Sequence, residues 1–400
     1  MLKKHFLLFP WVVLSVFFIE SCVTSPSILK AALSNPDPLI QEVLSQKDKH
    51  EIQILLTHIE RKKRGEINFK EESFQLDKGR YFYPASTAKL PIAILSLQKI
   101  RALQTLGIAI TAETPFRIQG FEGEIIRDKD STHPKGSLSI HHLIKKIFLV
   151  SDNDAYNYLF DFLGTDYINT ELKKKGLLDT QLYHKFLFGA DNSKTWAYTF
   201  FDENQQMRYH QPSIAAKTSL EPHKLKGILK GEGYMKSDIL VAGPMDFSQK
   251  NRISIQDLQG ILKRIIFPET FPKNQQFDLS ASDYDFLKYW MSRTTLESKN
   301  PDYNREAYWD SYGKFLLFGD KKGAMSPKIR VYNKVGFAYG TLTDVAYIKD
   351  SIKGDEFFLT ATLLVNENQI FNDDTYEFET KGIPFLGALG RAVLKEIQKE

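Results

Sequence analysis

The chain has 400 residues, of which 42% are hydrophobic and 26% are charged, a composition typical of a globular protein with a sizeable core. Its 53 basic and 49 acidic residues give a formal net charge of +4 and form no run of five like charges, which argues against nucleic-acid binding. The sequence has no internal repeat or low-complexity tract, and its length predicts two or three domains of about 150 residues each.

The N-terminal 21 residues have the features of an export signal. Two lysines precede an apolar run from Phe6 to Ile19, which is too short to span a bilayer comfortably. Cys22, the only cysteine, follows directly and has no partner for an intrachain disulfide. Its position resembles that of the acylated cysteine of bacterial lipoproteins, which implies a lipid anchor in the bacterial cell envelope, facing the periplasm. An ordinary secretory signal and an uncleaved amphipathic anchor are the alternatives.

Residues 22–49 mix Ser, Pro, Asn and charged side chains, which predicts a tether with one short helix at Leu39–Leu44. Two strands are predicted next, at Glu51–Ile59 and Ile67–Leu76, because these segments flank a polar turn that ends in glycine. Arg80–Tyr83 adds a short extended piece, which ends at a proline.

Apolar side chains spaced three and four residues apart predict helices in the middle of the chain. The first predicted helix follows Ser86, buries one face and closes at Gly107. The other predicted helices are one that is marked by Ile140, Leu143, Ile144 and Ile147 and ends at Ser151, and three more at Ala155–Leu163, Ser254–Ile266 and Ser280–Ser292.

Strand character returns near the C-terminus. The predicted elements there are strands at Ile329–Val335, Thr343–Ile348 and Glu356–Val365 and a closing helix at Leu386–Ile397. This order predicts an α/β fold in which one sheet forms from both chain ends, residues 50–85 and 326–400. Helices flank this sheet, and an all-α domain is inserted at residues 86–325.

The candidate catalytic residues begin with Ser86 and Lys89. A serine hydroxyl is a poor nucleophile at neutral pH, so it needs a neighbouring base and benefits from a helix N-terminus. Lys89 lies one turn after Ser86, where burial would lower its pKa enough for it to accept the Ser86 proton. Ser96 and Lys99 have the same spacing, but they lie well inside the helix. Taken alone, Ser86 is also typical of a helix N-cap.

Two further strings complete the pattern, Ser151-Asp-Asn153 and Lys334-Val-Gly336. Taken alone, the first is typical of helix capping and the second of a solvated lysine on an edge strand. The three strings occur in a fixed order on a helix start, an interhelical turn and a strand, and this joint occurrence favours one catalytic site.

The three strings resemble, with one departure, the Ser-x-x-Lys, Ser-Asp-Asn and Lys-Thr-Gly set of class A β-lactamases and penicillin-binding proteins. The flanking segments 81–91 and 339–348 and the position of Asn157 are similar to the same family, and the likeness covers residues 50–185 and 250–400. The resemblance implies a β-lactamase/transpeptidase-like α+β sandwich with an antiparallel sheet. It also implies a small-molecule β-lactam or a peptidoglycan-derived peptide as the binding partner, with the lipid anchor as the membrane contact.

The resemblance implies an acyl-enzyme mechanism. Ser86 would attack an amide carbonyl while Lys89 helps to remove its proton, and Ser151 would relay a proton to the leaving nitrogen. Asn153 would hold the amide of the substrate side chain. Lys334 would attract the substrate carboxylate and tune Ser151 electrostatically.

The strand that follows Lys334 would line the substrate site through Val335, Gly336 and Phe337. Backbone N–H groups of Ser86 and Phe337 would form the oxyanion hole. Val335 replaces the usual Thr or Ser, so one hydroxyl that would bind a substrate carboxylate is missing. The loss of one neutral hydrogen bond costs about 0.5–1.5 kcal/mol, which weakens recognition without abolishing it.

A second departure concerns hydrolysis of the acyl-enzyme. Class A β-lactamases carry a glutamate after Ser-Asp-Asn that activates water, but the corresponding stretch Tyr183–Gly189 has no carboxylate. Asp191, Asp202 and Glu203 lie further on and are either substitutes in a rearranged loop or solvated loop acids. The sequence therefore predicts acylation but gives little support for fast deacylation.

Residues 188–250 form an insertion beside the proposed site. The aromatic residues of the insertion would either line a pocket for a larger substrate or form the small core of a hairpin, and they are Trp196, Tyr198, Phe200, Phe201, Tyr209 and Tyr234. His184 lies near the missing glutamate, although a structural role is the more ordinary interpretation. The histidines have no metal-ligand spacing, so the sequence predicts neither a metal nor a cofactor.

The sequence as a whole predicts an envelope-located serine hydrolase that forms an acyl-enzyme through Ser86 with β-lactams or related amides. A D-alanyl peptide carboxypeptidase or esterase acting on cell-wall material is the second hypothesis. A protein that binds wall fragments or β-lactams without turnover is the third.

Overall fold

A computed structural model of the chain describes residues 27–62, 65–187 and 189–399. The helices are α1 (Ile28–Leu33), α2 (Pro38–Ser45), α3 (Lys89–Thr105), α4 (Ile140–Val150), α5 (Asn153–Leu163), α6 (Thr165–Lys174), α7 (Ile255–Ile266), α8 (Ala281–Ser292), α9 (Phe315–Phe318) and α10 (Ile383–Ile397). The strands are β1 (Gln53–Arg61), β2 (Ile67–Phe74), β3 (Phe116–Gln119), β4 (Ile125–Arg127), β5 (Thr180–Gln181), β6 (Ala197–Phe201), β7 (Met207–Gln211), β8 (Leu229–Lys230), β9 (Gly233–Lys236), β10 (Ile239–Ala242), β11 (Met245–Asp246), β12 (Arg252–Ile253), β13 (Ile329–Ala338), β14 (Thr341–Asp350), β15 (Glu356–Leu364) and β16 (Ile370–Phe371).

The largest sheet has the strand order β13-β14-β15-β1-β2, and every neighbouring pair is antiparallel. The N-terminal strands β1 and β2 thus lie beside the C-terminal strands, with β15 paired to β1. The predicted antiparallel sheet from both chain ends is confirmed. Strand β13 lies at one edge of the sheet, so the backbone N–H and C=O groups on its outer side have no partner strand within the described residues.

The sheet is covered on both faces because alternate residues of a strand point in opposite directions. On one face, Leu359 belongs to an apolar cluster with Leu389 of α10 and the helices α1, α2 and α9. On the other face, the neighbouring Phe358 belongs to a cluster with Leu258 of α7 and with α3 to α6. The molecule is therefore a sandwich of helices around one sheet.

The described part of the predicted tether, residues 27–49, is folded. Ser27 and Asp37 cap two short helices through their side-chain oxygens, which accept backbone N–H bonds. Ile28 and Ile40 are buried in the cluster that contains α10. The predicted short helix at Leu39–Leu44 is found within α2, whereas α1 has only six residues, too few to show a helical period in the sequence. The export signal and Cys22 lie outside the described residues, so their processing and lipidation stay predictions.

The middle of the chain is mixed rather than all-α. Between α3 and α7 lie short strands that include a four-stranded sheet in the order β4-β3-β6-β7. Within the insertion, Tyr198 and Phe200 are buried against Phe116 and Phe162, so these two aromatic rings form core and do not line a pocket. The strands have two to five residues, too few to show a strand period in sequence.

The hairpin β9–β10 joins the insertion to the C-terminal part of the chain. Strand β9 pairs with β10 and, in parallel, with β16, where Gly233 is opposite Ile370. This pairing places the end of the insertion beside the loop that follows β16.

Helix α3 runs through the centre of the molecule. Its residues from Leu90 to Leu95 include five apolar side chains, and all of them are buried, so the helix is covered on all sides and not on one face only. Its N-terminus is preceded by a 3₁₀ turn at Ala85–Ala88, which contacts strand β13. The sheet edge and the start of α3 are therefore fixed against one another. No helix in the described ranges is long and apolar enough to cross a membrane.

Candidate functional site

Ser86 lies in the 3₁₀ turn before α3 and lines a cleft of about 1030 Å³. The preceding residue, Ala85, has a left-handed φ of 45°, a conformation that costs a non-glycine residue of order 1–3 kcal/mol. Among the described residues, the Ser86 hydroxyl has no hydrogen-bond partner. The turn thus presents an unpartnered hydroxyl to the cleft at the N-terminus of a buried helix.

Gly336 of strand β13 packs directly on this turn. A Cβ atom at Gly336 would lie 2.6 Å from the Pro84 carbonyl oxygen and 2.7 Å from the Ser86 nitrogen. No side chain fits such distances without movement of the backbone. The glycine of the predicted Lys334-Val-Gly336 string is therefore required by the close approach of two backbones.

Lys89 is fully buried one turn after Ser86. Its Nζ donates to the Ser151 carbonyl oxygen at 2.5 Å and to Asn153 Oδ1 at 2.7 Å, and Ser151 Oγ lies 3.3 Å away. Burial is the main cause that holds the pKa of Lys89 well below its usual range, and the charge of Lys334 adds to it. None of the Lys89 hydrogen bonds within the described residues reaches Ser86.

Ser151 lies between two lysines. It ends α4 in a left-handed conformation with a φ of 58°, which turns its carbonyl and hydroxyl away from the helix. Lys334 Nζ donates to Ser151 Oγ at 2.8 Å and to the Val335 carbonyl oxygen at 2.8 Å. Burial lowers the pKa of Lys334 to about 7, with Lys314 adding to the effect and Asp344 opposing it.

A buried polar network stabilises strand β13 behind Lys334. Asp344 accepts from the Leu316 N–H at 3.0 Å and from Asn333 Nδ2 at 2.9 Å, while Lys314 Nζ donates to Asn333 Oδ1 at 2.8 Å. Burial raises the pKa of Asp344 to about 6 and lowers that of Lys314 to about 8. Because its buried polar groups are hydrogen-bonded to one another, the network can hold the strand that carries Lys334 in one position.

The remaining predicted substrate-binding residues take different positions. Asn153, at the start of α5, and Phe337 line the cleft together with Ser86. Val335 does not line it, because its side chain lies in the apolar cluster on the opposite face of the sheet. It borders instead a smaller cavity of about 60 Å³ that Ser151 and Lys334 also line.

An aromatic ring lies beside Lys89 in the loop where the resemblance would place a glutamate. The Phe186 ring centroid is 5.3 Å from Lys89 Nζ, and the ring stacks on Tyr156 at 4.3 Å. Asn157 Oδ1 accepts the backbone N–H of Phe186 at 2.7 Å and so fixes this loop. Lys185, the neighbouring residue, is turned away into a buried ion pair with Asp161 at 2.7 Å.

The three acidic residues further along the chain do not replace that glutamate. Asp191 accepts hydrogen bonds from Ser193 at 2.9 and 2.6 Å. Asp202 pairs with Arg208 at 2.6 Å, and Glu203 pairs with Lys135 at 3.6 Å. None of the three lines the cleft that contains Ser86, which agrees with their interpretation as loop acids.

The outer walls of the cleft come from two segments far apart in the sequence. The first lies at the end of the insertion, and its cleft-lining residues are Asp246, Ser248, Gln249 and Lys250. The second follows β16, and its cleft-lining residues are Asn372, Asp374, Tyr376 and Phe378. The parallel pairing of β9 with β16 brings the two segments together. Sequence patterns gave no signal for the second segment, which has no regular secondary structure up to Phe378.

Sequence reasoning also missed the aromatic floor of the cleft. Tyr83 and Tyr339 both line it and contact each other edge to face at 5.1 Å. Both belong to the segments that flank the motifs, which was the available signal. Elsewhere in the described ranges, no group of three or more His, Cys, Asp or Glu side chains is placed to hold a metal ion.

The chain is similar to known proteins in sequence and in fold comparisons. The model of the beta-lactamase enzyme family matches residues 36–397. Among solved structures, a beta-lactamase from Sphaerobacter thermophilus is similar at 14% identity with a TM-score of 0.49, covering 93% of this chain and 97% of that chain. A beta lactamase from Xanthomonas campestris pv. campestris is similar at 15% identity with a TM-score of 0.49, covering 92% of this chain and 97% of that chain. The comparison with curated proteins gives no match.

We predict that Gly336→Ala lowers the free energy of unfolding by about 1–3 kcal/mol, because the added methyl group overlaps the Pro84 and Ser86 backbones. Chemical denaturation measures the change. Gly323→Ala is the matched control, since a Cβ there meets open space, and a change within about 0.5 kcal/mol is expected. Equal stability of the two variants would contradict the close approach of β13 to the Ser86 turn.

Proposed function

The chain belongs to the beta-lactamase enzyme family, and on that premise we propose that it is a serine hydrolase that is acylated at Ser86 by β-lactams or related amides. In the proposed reaction, Lys89 and Ser151 move protons, and Lys334 and Asn153 bind the substrate. The family membership supports hydrolysis in general, while the substrate and the covalent intermediate belong to the proposal.

One observation carries the proposal: the Ser151 hydroxyl lies 2.8 Å from Lys334 Nζ and 3.3 Å from Lys89 Nζ, and Lys89 is buried one turn after Ser86. Two buried amines that share one hydroxyl form a path for protons. A purely structural site would have little reason to bury two lysines in this way, because each burial carries a desolvation cost.

Acylation follows from the protonation states that these contacts favour. With its pKa lowered, Lys89 is neutral in a fraction of molecules, and its two N–H groups then donate to the Ser151 carbonyl and Asn153 Oδ1. The remaining lone pair is free to take the Ser86 proton. Ser86 Oγ then bonds to the substrate carbonyl carbon, and the C–N bond breaks as Ser151 passes a proton to the leaving nitrogen.

Substrate binding uses groups on the two sides of Ser86. The positive charge of Lys334 would attract the substrate carboxylate, and Asn153, which lines the cleft, would hold the substrate side-chain amide. Backbone N–H groups of Ser86 and Phe337 would stabilise the oxyanion, a contribution worth about 10²–10³ in rate per donor in other enzymes. Val335 is buried away from the cleft and offers no hydroxyl to the carboxylate.

We predict that Ser86→Ala abolishes labelling by a fluorescent penicillin, because no other residue supplies the attacking oxygen. Gel fluorescence after incubation measures the label. Ser96→Ala is the matched control, since Ser96 has the same spacing to a lysine but its buried hydroxyl donates to the Ile92 carbonyl at 2.8 Å. Undiminished labelling of Ser86→Ala, or no labelling of the wild type by any β-lactam or ester probe, would refute the proposal.

The pH dependence of acylation follows from Lys334. Its pKa is lowered to about 7, so its positive charge is present below that pH and is lost as the pH rises through it. We predict that the second-order acylation rate constant for a carboxylate-bearing β-lactam falls above about pH 7. The methyl ester of the same compound is the control and is expected to show no such fall. Stopped-flow experiments measure the rate constant for acylation by each compound as a function of pH. Parallel pH profiles for the two compounds would contradict the role of Lys334.

A second candidate function is hydrolysis of D-alanyl peptides of the cell wall. Two observations favour it: an aromatic ring, not a carboxylate, lies beside Lys89, and the cleft of about 1030 Å³ has extra walls from the insertion and the loop after β16. Such a cleft has room for a peptide larger than a β-lactam nucleus.

Turnover assays separate the two functions. If the protein is a β-lactamase, nitrocefin is hydrolysed repeatedly and a peptide ending in D-Ala-D-Ala releases little D-alanine. If it is a carboxypeptidase, D-alanine release exceeds nitrocefin turnover, and nitrocefin inhibits the reaction by acylating Ser86. Ser86→Ala must abolish whichever activity is found.

A further inference from the structure

We propose that His184 is the general base that activates water for hydrolysis of the Ser86 acyl-enzyme. This inference rests on the proposed acylation of Ser86 and names the group that would end the covalent intermediate. It concerns the deacylation step alone, so its failure can be distinguished from failure of acylation.

The backbone of His184 is held firmly in the wall of the cleft. Asn251 Oδ1 accepts the His184 N–H at 3.0 Å, and Asn251 Nδ2 donates to the His184 carbonyl at 3.1 Å. The Tyr156 hydroxyl donates to the same carbonyl at 3.0 Å. These three hydrogen bonds fix the position of His184. A group that orients a reactant must be held in one position in this way.

The ring of His184 has a defined tautomer. Its Nδ1 lies 2.8 Å from the Lys185 carbonyl oxygen, and because a carbonyl can only accept, Nδ1 carries the proton. Nε2 therefore holds a lone pair. This nitrogen is buried and has no hydrogen-bond partner among the described residues, which costs about 1–3 kcal/mol when no donor approaches. Nε2 is thus the ring nitrogen that would accept a proton from a water molecule that reaches it.

The same ring is placed on the side of the cleft that holds the nucleophile. His184 lines the cleft together with Ser86. It lies parallel to the Tyr83 ring with centroids 6.3 Å apart, and Tyr83 is three residues before Ser86. The Phe186 ring, which covers Lys89, contacts His184 at 6.0 Å. His184 and the catalytic lysine are thus connected through one aromatic side chain.

The groups that face His184 favour a neutral ring. Burial lowers the pKa of His184 to about 4, Lys250 adds to the effect, and the hydrogen bond to the Lys185 carbonyl opposes it. The ammonium of Lys185 is paired with Asp161, and burial raises the pKa values of Tyr83 and Tyr156, so both stay uncharged at neutral pH. The imidazole is therefore a base at pH 7, with a strength close to that of an ordinary carboxylate.

Two carboxylates also line the cleft, Asp246 and Asp374, but both are exposed to solvent. Asp246 Oδ1 already accepts the Ser248 N–H at 2.7 Å. A solvated carboxylate without a fixed orientation is a poorer general base for a positioned water than a ring whose partner nitrogen is locked. His184 is therefore the better candidate.

Hydrolysis of the acyl-enzyme consumes one water molecule. A water oxygen bonds to the acyl carbon while one water proton passes to His184 Nε2, and the negative charge develops on the former carbonyl oxygen. The tetrahedral intermediate then collapses, the bond between the carbon and Ser86 Oγ breaks, and the proton on Nε2 passes to Ser86 Oγ. The products are a carboxylic acid and the free serine, and no other reactant is consumed.

The test follows the acyl adduct of full-length protein by intact mass spectrometry after a pulse of benzylpenicillin. Wild type, His184→Gln and His184→Asn are expected to acylate at similar rates, while the adduct of both variants decays at least about a hundredfold more slowly. His223→Gln is the matched control, because His223 is also buried but its Nε2 lies 3.1 Å from the Lys250 carbonyl and it does not line the cleft. Its adduct is expected to decay like that of the wild type.

A pH profile of wild-type deacylation gives a readout that loss of structure would not mimic. The rate constant is expected to stay constant from about pH 8 to pH 5 and to fall as the pH drops through about 4, where His184 gains a proton. If the His184 variants fail to acylate, this profile decides the inference together with the adduct lifetimes of Asp246→Asn and Asp374→Asn, because a carboxylate base would titrate in the same range and its loss would slow the decay.

Several outcomes overturn the inference. Equal adduct lifetimes in wild type and His184→Gln would show that another group activates the water, as would slow decay in Asp246→Asn or Asp374→Asn alone. A wild-type adduct that never decays, or whose decay does not slow at low pH, is equally incompatible with it. If no adduct forms in any protein, acylation itself is absent and the proposed function fails first.

Discussion

The contact on which the site depends is the Ser151 hydroxyl held between Lys89 and Lys334. Two ammonium groups that share one buried hydroxyl repel each other and lack solvent to screen them, so the pair favours one charged and one neutral amine. Burial is the main cause that lowers the pKa values of both lysines, and the charge of Lys334 adds to it at Lys89. The proposed amide cleavage would need a neutral base beside Ser86 and a cation beside the substrate, and this one packing arrangement would supply both.

That arrangement constrains the rest of the fold. The turn between α4 and α5 must meet the edge strand β13, and the start of α3 must lie against both. Gly336 allows the approach because it has no Cβ, and the hydrogen bonds among Asp344, Asn333 and Lys314 hold the strand in register behind it. The buried charges in this network are costly to desolvate, and their mutual hydrogen bonds offset that cost. Fold stability and site geometry thus depend on the same edge of the sheet.

The two halves of the proposed reaction use different parts of the molecule. Acylation depends on Ser86 and the two lysines, which lie on elements of the main sandwich. The environment of deacylation is built from the loop with His184 and Phe186, which Asn157 and Asn251 position, and the outer walls come from the insertion and the loop after β16. Changes in this second part would alter substrate size and the lifetime of the intermediate without disturbing the nucleophile.

The sequence by itself determined the strands of the large sheet, the longer helices and the three motifs. The hydrophobic period of an element and the residue types of a motif depend only on residues close together in the sequence. It did not reveal helix α1 or the short strands around Tyr198, whose conformation depends on burial against distant elements. Nor did it show that Val335 faces away from the cleft, or that Phe186 lies on Lys89. Those positions follow from contacts between residues far apart in the chain, and only tertiary packing decides them.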